Sequence, residues 1–496
     1  MKEFEIERKF LLRPCSPKRF LRSIGLEYRK YTIQQYYLPE HKEGYVRYRR
    51  RDKKFFRTIK SGEGMVREET EYPVPKEEFE SHLEEHVGKI IEKERFVFVY
   101  EGMTYELDRF YGALKGLCYL EIEFDDEERA EEFILPEIFS HLFVVEVTED
   151  KRFNNSSISK SECIPSPDST LEILAKKLNH LLPVEEGSSE ANKLICLEPF
   201  ESSIAAIQMI FRSLSYRIES ERKLLLEDSE NPEVLHQFRI SLRKAKSMIG
   251  AFKLFLPPGW LELHRRNLSL LMAQTNIRRD SDVLLAKIPY YRSLLPIRLQ
   301  KELSLLEQLL LEKKESSGRH IHALAENELL NYEIASFMRP KMQSLVSEEI
   351  MGQPIVITAM KIVCREAGDI VKKGKRLNKH SGEKAYHKLR IRYKKMRYFI
   401  EEMQSLIERE KYKESVKLIK KMQTILGDLH DYQVQRTLLV SLGKETALQK
   451  KKTKQAMSLL IKKIEKLEEE QEEKFRKKFV KMEMYEKRFR RLFEVY

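Results

Sequence analysis

The 496-residue chain contains no run of 18 or more apolar residues, so it offers no candidate for a membrane-spanning helix. Its opening, MKEFEIERKF, reaches acidic side chains at once and lacks the apolar stretch of a secretory signal. Cysteine is sparse: Cys15, Cys118, Cys163, Cys196 and Cys364 are scattered, odd in number and form no C-x-x-C pair. Neither a disulfide framework nor a zinc knuckle is indicated, and a reducing cytoplasm is the expected compartment. RRM, KH, zinc-finger and helix-turn-helix signatures are also missing, which disfavours sequence-specific reading of nucleic acid.

Charge is what the chain has in abundance, at 34% of residues with a mean hydropathy of −0.53. The net +13 is unevenly spread: residues 1–150 hold 26 Lys and Arg against 33 Asp and Glu, and the remainder 66 against 46. A solvated helical surface accounts for part of the later excess. The rest implies attraction to a polyanion such as polyphosphate, nucleic acid or an anionic surface. The length implies two or three domains.

Up to about residue 150 the pattern is mostly β. Alternating segments recur at Phe4–Leu12, Tyr31–Leu38, Tyr45–Arg51, Lys53–Lys60, Val66–Val74, Glu94–Tyr100, Met103–Phe110, Cys118–Phe124 and Val144–Thr148. Glycines and prolines separate them, and helical stretches are expected near Pro75–His86 and Asp126–Phe139. About eight strands with hairpin-length gaps predict an antiparallel barrel or tunnel. Asn154–Ser157 and Pro165–Pro167 read as loops, and Leu171–Leu182 as a short helix. Beyond about residue 200 long segments follow the helical period, and Lys444–Phe493 reads as a highly charged helix. The expected fold is therefore multidomain α+β, with a first domain over residues 1–185, a linker over 186–200 and an all-α domain over 201–496.

The strands carry their charges on one face. Glu5, Glu7 and Lys9 stand at i, i+2 and i+4, and the spacing returns in Arg47/Arg49, Arg67/Glu69/Glu71, Lys93/Arg95, Glu106/Asp108 and Glu121/Glu123. In one strand this describes the solvent face of a sheet equally well. Six strands together favour a charged, water-filled lumen. Carboxylate clusters bind hard divalent cations such as Mg²⁺ or Mn²⁺, and Arg and Lys neutralise phosphate oxygens. Phosphoanhydride cleavage needs mainly positioning and charge stabilisation, so a lumen of this kind suits it without a nucleophilic side chain.

The helical part repeats itself. His236, Arg239, Arg243 and Lys246 have the spacing of His387, Arg390, Lys394 and Arg397, and the two sets stand 151 residues apart. Asp280 and Asp431, each just before a short polar-to-Val run, have the same offset, which argues for an internal duplication. Each ladder lies near one stripe of a helix, and like charges there oppose the helix slightly. A solvated ladder is the commoner case for one helix; repetition favours polyanion binding. Metal binding at Asp280, Asp282, Asp428 or Asp431 is not favoured.

Two family resemblances follow from these residues. Glu5-Ile6-Glu7-Arg8-Lys9 resembles the E-x-E-x-K signature of the CYTH superfamily, the triphosphate tunnel metalloenzymes. The order continues with Tyr37-Leu38, Arg47-Tyr48-Arg49, Lys60, Arg67-x-Glu69-x-Glu71, Lys93-x-Arg95, Glu106-x-Asp108, Glu121-Ile122-Glu123, Glu146-Val147-Thr148 and Phe153-Asn154, covering about residues 1–156. The resemblance implies an eight-stranded tunnel that hydrolyses triphosphate compounds with Mg²⁺ or Mn²⁺. It makes Glu5, Glu7, Asp108, Glu121 and Glu123 metal candidates, and Lys9, Arg47, Arg49, Lys60, Arg67, Lys93 and Arg95 the phosphate grip. Glu5, Glu7 and Lys9 become the catalytic set, while Glu69 and Glu71 either hold a second metal or fix arginines. The base that activates water stays open.

His236-Gln237-Phe238-Arg239, His387-Lys388-Leu389-Arg390 and Gly427-Asp428-Leu429-His430-Asp431 resemble the CHAD family, conserved-histidine α-helical domains. That resemblance covers roughly 200–440 and implies two duplicated four-helix bundles beside a basic polyphosphate-binding surface or pore. His236, Arg239, Arg243, Lys246, His387, Arg390, Lys394 and Arg397 are its candidate residues. The CYTH–CHAD order implies inorganic triphosphatase activity with polyphosphate bound by the helices, and association with polyphosphate granules in the cytoplasm. A thiamine or nucleoside triphosphatase, an adenylate cyclase of the same fold, or a non-catalytic polyphosphate-binding protein are the alternatives.

Overall fold

A computed structural model of the protein describes residues 3–39, 45–61, 66–167, 196–342, 348–378, 381–445, 448–480 and 482–495. The expected helix Leu171–Leu182 and the expected boundary near residue 185 lie outside the described residues, as do the side chains of Glu5, Lys60, Arg67 and Glu69.

Nine strands form one sheet: β1 (Glu3–Leu12), β2 (Arg29–Tyr37), β3 (Tyr45–Arg51), β4 (Lys54–Ser61), β5 (Val66–Pro73), β6 (Val87–Tyr100), β7 (Met103–Phe110), β8 (Cys118–Phe124) and β9 (Phe143–Glu146). Their order is β5-β4-β3-β2-β6-β7-β8-β1-β9, with β5 also pairing β1. Eight strands thus close the expected antiparallel barrel and β9 is added outside the ring. β1 is long enough to serve three partners. Its first residues pair β5 with Glu5 opposite Arg67, Ile6–Leu12 pair β8, and Phe10–Leu12 pair β9. Closure removes the exposed edges that an open sheet would leave.

The barrel is apolar outside and charged inside. Phe96, Phe98, Tyr105, Leu107, Leu120 and Ile122 point outward and are buried beneath Phe20 and Leu21 of α1 (Pro17–Ser23), with Phe139 and Leu142. Tyr36, Val46 and Tyr48 are covered by Phe79 of α2 (Lys76–Ser81). The helical stretch expected over Asp126–Phe139 narrows to α3 (Glu127–Glu132) and a separate turn at Glu137–Phe139. The loop expected at Asn154–Ser157 instead opens α4 (Asn155–Lys160), which buries Ile158. α4 packs closely on β6: Gly88 has φ +76°, and a Cβ there would lie 2.5 Å from the Ser159 carbonyl oxygen.

Thirteen helices follow among the described residues: α5 (Ser203–Glu227), α6 (Pro232–Ala251), α7 (Pro258–Gln274), α8 (Asn276–Ser293), α9 (Ile297–Gln300), α10 (Leu303–Ala325), α11 (Glu328–Met338), α12 (Glu348–Gly352), α13 (Ile355–Lys375), α14 (Glu383–Glu402), α15 (Arg409–Leu442), α16 (Lys451–Phe479) and α17 (Met482–Phe489). None is long and apolar enough to cross a membrane. Duplication is visible in their lengths, since α6 and α14 are both 20 residues long and start at matching positions of the repeat. Likewise α5 corresponds to α13, α7 with α8 to α15, and α10 to α16. The charged segment after residue 444 is therefore part of the second copy. Thr453 donates to Glu302 at 2.7 Å, and these two positions are themselves repeat equivalents, so a pseudo-twofold axis runs between the copies.

The copies share their cores. Leu284, Ile288, Leu303 and Leu306 of the first pack with Leu439, Met457, Leu460 and Ile464 of the second. The larger core runs from α5, α6 and α7 through α13, α14 and α15, and continues to Leu114, Leu117, Phe153 and Ile158 of the barrel. Gly116, at φ +104°, lets the barrel sit directly on α13, because a Cβ there would lie 2.5 Å from Ile357 Cδ1. A second tie joins the domains: the Val495 N–H donates to Pro14 at 2.7 Å, and Arg109 pairs with buried Glu494 at 2.6 Å.

Candidate functional site

Strand alternation aims one residue in two into the barrel, and register sets which charges meet. Glu7 stands opposite Glu123, Lys9 opposite Glu121, and Glu121 opposite Glu106. Arg95 stands opposite Asp108, and Arg47 opposite both Tyr37 and Thr58. Lys9, Arg47, Lys93, Asp108 and Glu121 are buried, so each must find a partner inside.

They do. Arg95 forks onto Asp108, with Nε to Oδ1 at 2.8 Å and Nη2 to Oδ2 at 2.7 Å, and also reaches Glu106 and Glu121. Lys93 pairs with Asp108 as well. Lys9 lies 3.1 Å from Glu121 and 3.4 Å from Glu7. Across the lumen Arg47 donates to Thr58 at 3.2 Å, Thr58 donates to Glu71 at 3.2 Å, and Arg49 pairs with Glu71. Asp108 thus holds two cations, and Glu71 fixes the arginine pair of β3. Glu146, within the expected motif, lies outside the tunnel and holds Arg8 at 2.6 Å.

Burial tunes these groups. It lowers the Lys93 ammonium to about 8, helped by Arg95 and opposed by Asp108. Arg49 is lowered to about 10 by burial and by Arg47. Burial alone would raise the Glu121 carboxyl, but Lys9, Arg95 and Lys93 hold it well below the usual carboxylate range. The lumen is consequently a field of fixed, ionised groups with one ammonium poised near neutrality.

A divalent ion asks for oxygen donors. Among the described residues no three His, Cys, Asp or Glu side chains converge on one point; Glu121 and Asp108 turn toward Lys9, Lys93 and Arg95. Glu7, one-sixth exposed, and exposed Glu123 face each other in register. These carboxylates supply the oxygen-only chemistry that Mg²⁺ or Mn²⁺ accepts while retaining water ligands.

The second charged site lies between the helical copies. A cavity of about 840 Å³ is lined by the equivalent pairs His236 and His387, Arg239 and Arg390, Arg243 and Lys394. A smaller adjoining cavity shares His236, Arg243, Arg390 and Lys394 and adds Arg397 and Lys420. The structure brings together all eight basic and histidine residues singled out on the two ladders. It adds Arg265, Arg279, Lys395 and His430, with only Asp280 and Asp431 of opposite sign. Arg279 with His430, and Lys395 with Lys244, were legible as equivalent positions of the repeat; Arg265 carries no such signal, its equivalent being Val416. Burial, then Arg390 and Arg243, lowers the Lys394 ammonium to about 7. Burial also outweighs the nearby cations and raises both the Asp280 and the Asp431 carboxyls.

With this geometry in view, residues 3–153 match the family described as CYTH domain, and residues 210–440 match the CHAD domain. The chain belongs to the CYTH family and carries a CHAD domain. Its CYTH part is 35% identical over 159 residues to an inorganic triphosphatase of Nitrosomonas europaea, spanning 97% of that protein and 32% of this chain. It is 36% identical to an inorganic triphosphatase of Acetivibrio thermocellus, spanning 94% of it and 32% of this chain. A crystal structure of the CHAD domain from Ricinus communis is similar at 18% identity, covering 58% of this chain and 95% of that one with a TM-score of 0.49.

Proposed function

We propose that the CYTH barrel hydrolyses inorganic triphosphate to pyrophosphate and phosphate, and that the CHAD cleft holds inorganic polyphosphate. The closed lumen in which buried Lys9, Arg47 and Lys93 and partly buried Arg49 and Arg95 face ionised carboxylates carries the first half. The named activity of the two bacterial relatives, which this chain spans almost completely, supports the same reading.

Arg47 and Arg49, held by Thr58 and Glu71, are set to grip phosphate oxygens, with Lys9, Lys93 and Arg95 on the facing wall and Lys60 and Arg67 on neighbouring strands. Glu5, Glu7, Glu121 and Glu123, with Asp108 behind them, are the metal candidates. Bound Mg²⁺ or Mn²⁺ would neutralise phosphate oxygens and polarise the anhydride bond. Water attacks the terminal phosphorus, the P–O–P bond breaks, and the fixed cations stabilise the charge that moves onto the leaving pyrophosphate. Because the lumen groups are already ion-paired, little reorganisation accompanies that charge movement.

Phosphate release from inorganic triphosphate, ATP and thiamine triphosphate, each with Mg²⁺ and with Mn²⁺, tests the reading. Inorganic triphosphate is expected to turn over fastest, and Glu7→Gln with Glu123→Gln to reduce kcat at least about a hundredfold, the scale of losing a charge-stabilising element. A double variant as active as the parent would refute the site, and faster turnover of either organic triphosphate would refute the substrate. For the cleft, Arg243→Glu with Arg390→Glu is expected to release immobilised polyphosphate while triphosphate hydrolysis continues.

A further inference from the structure

A cleft that only needed positive charge could be built from arginine and lysine, yet this one holds three imidazoles. His236 comes from α6, His387 from α14 and His430 from α15. The last two are in contact, with Nδ1 to Nδ1 at 3.2 Å and ring centroids 4.6 Å apart. Two ring nitrogens so placed share one hydrogen, one donating and the other accepting. The pair can take up one further proton, on the Nε2 of the donating ring, without breaking that bond. A second would set two N–H groups against each other. His236 has its Nδ1 buried with no hydrogen-bond partner.

These imidazoles are surrounded by charge from every side of the cleft. Arg390, Lys394 and Lys395 come from α14 beside His387, Arg239, Arg243 and Lys246 from α6 beside His236, Arg265 from α7, Arg279 and Asp280 from α8, and Asp431 from α15 beside His430. Arg390 lies 3.7 Å from Asp431, which is half-exposed, so cations dominate. While the cleft holds only protein charges, protonating an imidazole adds like charge to a crowded site. A phosphate chain inside reverses the local field and supplies acceptor oxygens.

We propose that filling the cleft with a polyanion is coupled to proton uptake, first by the His387–His430 pair, so that the cleft grips phosphate chains more tightly as pH falls. The inference rests on the cleft being the polyphosphate site. Burial, then Arg279 and Arg243, lowers His236 to about 4. Burial, then Arg390, His387 and Lys394, lowers His430 to about 3. Burial, Arg390 and Lys394 also lower His387. In the filled cleft the pair titrates nearer the ordinary imidazole value, about 6.5. Affinity therefore rises as pH falls through the bound-state value and levels off below the free-state values, by up to about tenfold per pH unit for each proton. Lys394 adds to the uptake near neutrality.

Calorimetric titration of the full chain with long-chain inorganic polyphosphate, at fixed ionic strength and in buffers of different protonation enthalpy, reads the protons directly. About one proton is expected to be taken up per site at pH 6, with binding at least about threefold tighter at pH 6 than at pH 7.5. Lys394→Arg should retain most of that uptake, since arginine stays charged, whereas His430→Gln should lose it together with the pH dependence. Binding without proton exchange, or uptake abolished by Lys394→Arg and untouched by His430→Gln, would overturn the inference alone. Absence of binding at every pH would overturn the polyphosphate reading beneath it.

Discussion

Lys93 shows how a single position couples fold to chemistry. It is almost fully buried, pairs with Asp108, and loses its proton near pH 8 because burial and Arg95 both oppose the charge. The free enzyme therefore keeps this cation below about 8 and sheds it above. Because kcat/KM reports ionisations of the free enzyme, kcat/KM for triphosphate should fall as pH rises through about 8. A flat profile to pH 10 would remove Lys93 from the phosphate grip. Stability moves the other way over this range. The unfolded chain binds the Lys93 proton up to about 10.5, so raising the pH from 8 relieves a cost that the folded state carries in neutral solution.

At the scale of elements, the strands were readable because charges at i, i+2 and i+4 mark a face, and the pattern recurred often enough to separate a lumen from a solvent face. What escaped the sequence depended on contacts. The first half of β6, Val87–Glu92, has no clean alternation, and Gly88 belongs there because α4 presses against it. α4 itself reads Asn-Ser-Ser, a loop composition, and is helical where Ile158 finds a core. In the CHAD domain the repeat was plain, yet α7 and α8 are interrupted at Thr275 where α15 is continuous through Gly427. Propensity alone would place the break at the glycine. The reason lies across the cleft: Arg239 donates to the Met272 carbonyl at 2.8 Å and to Asn276 Oδ1 at 2.9 Å, drawing off a carbonyl at the end of α7. Two glycines test the packing reading. Gly102 has φ +79° with open space around it, and Gly116 has φ +104° against Ile357 and Met360. Gly102→Ala should cost about 1 kcal/mol of backbone strain, and Gly116→Ala at least about 1 kcal/mol more. Equal costs in denaturant titrations would mean that the barrel does not rest on α13 through this contact.

For the whole molecule, a hydrophobic core that passes from barrel to helices means the domains should not melt independently. Arg109 and Glu494 pin the junction at 2.6 Å, and Lys411 holds the Glu494 carbonyl at 2.5 Å. Removing one partner of a buried pair strands the other charge. Glu494→Ala should therefore cost about 3 kcal/mol and divide a single calorimetric transition into two. An unchanged single transition would assign the joint to the apolar contacts alone.

The axis marked by Glu302 and Thr453 passes between helical copies that line their cleft with equivalent residues, His236 with His387 and Arg239 with Arg390. A surface of that symmetry reads nearly the same from either end. A single nucleic-acid strand has a 5′ and a 3′ direction and would meet the cleft in two unequal ways. A chain of identical phosphates has no direction, so under the proposed binding either orientation would be productive and every entry into the cleft would count.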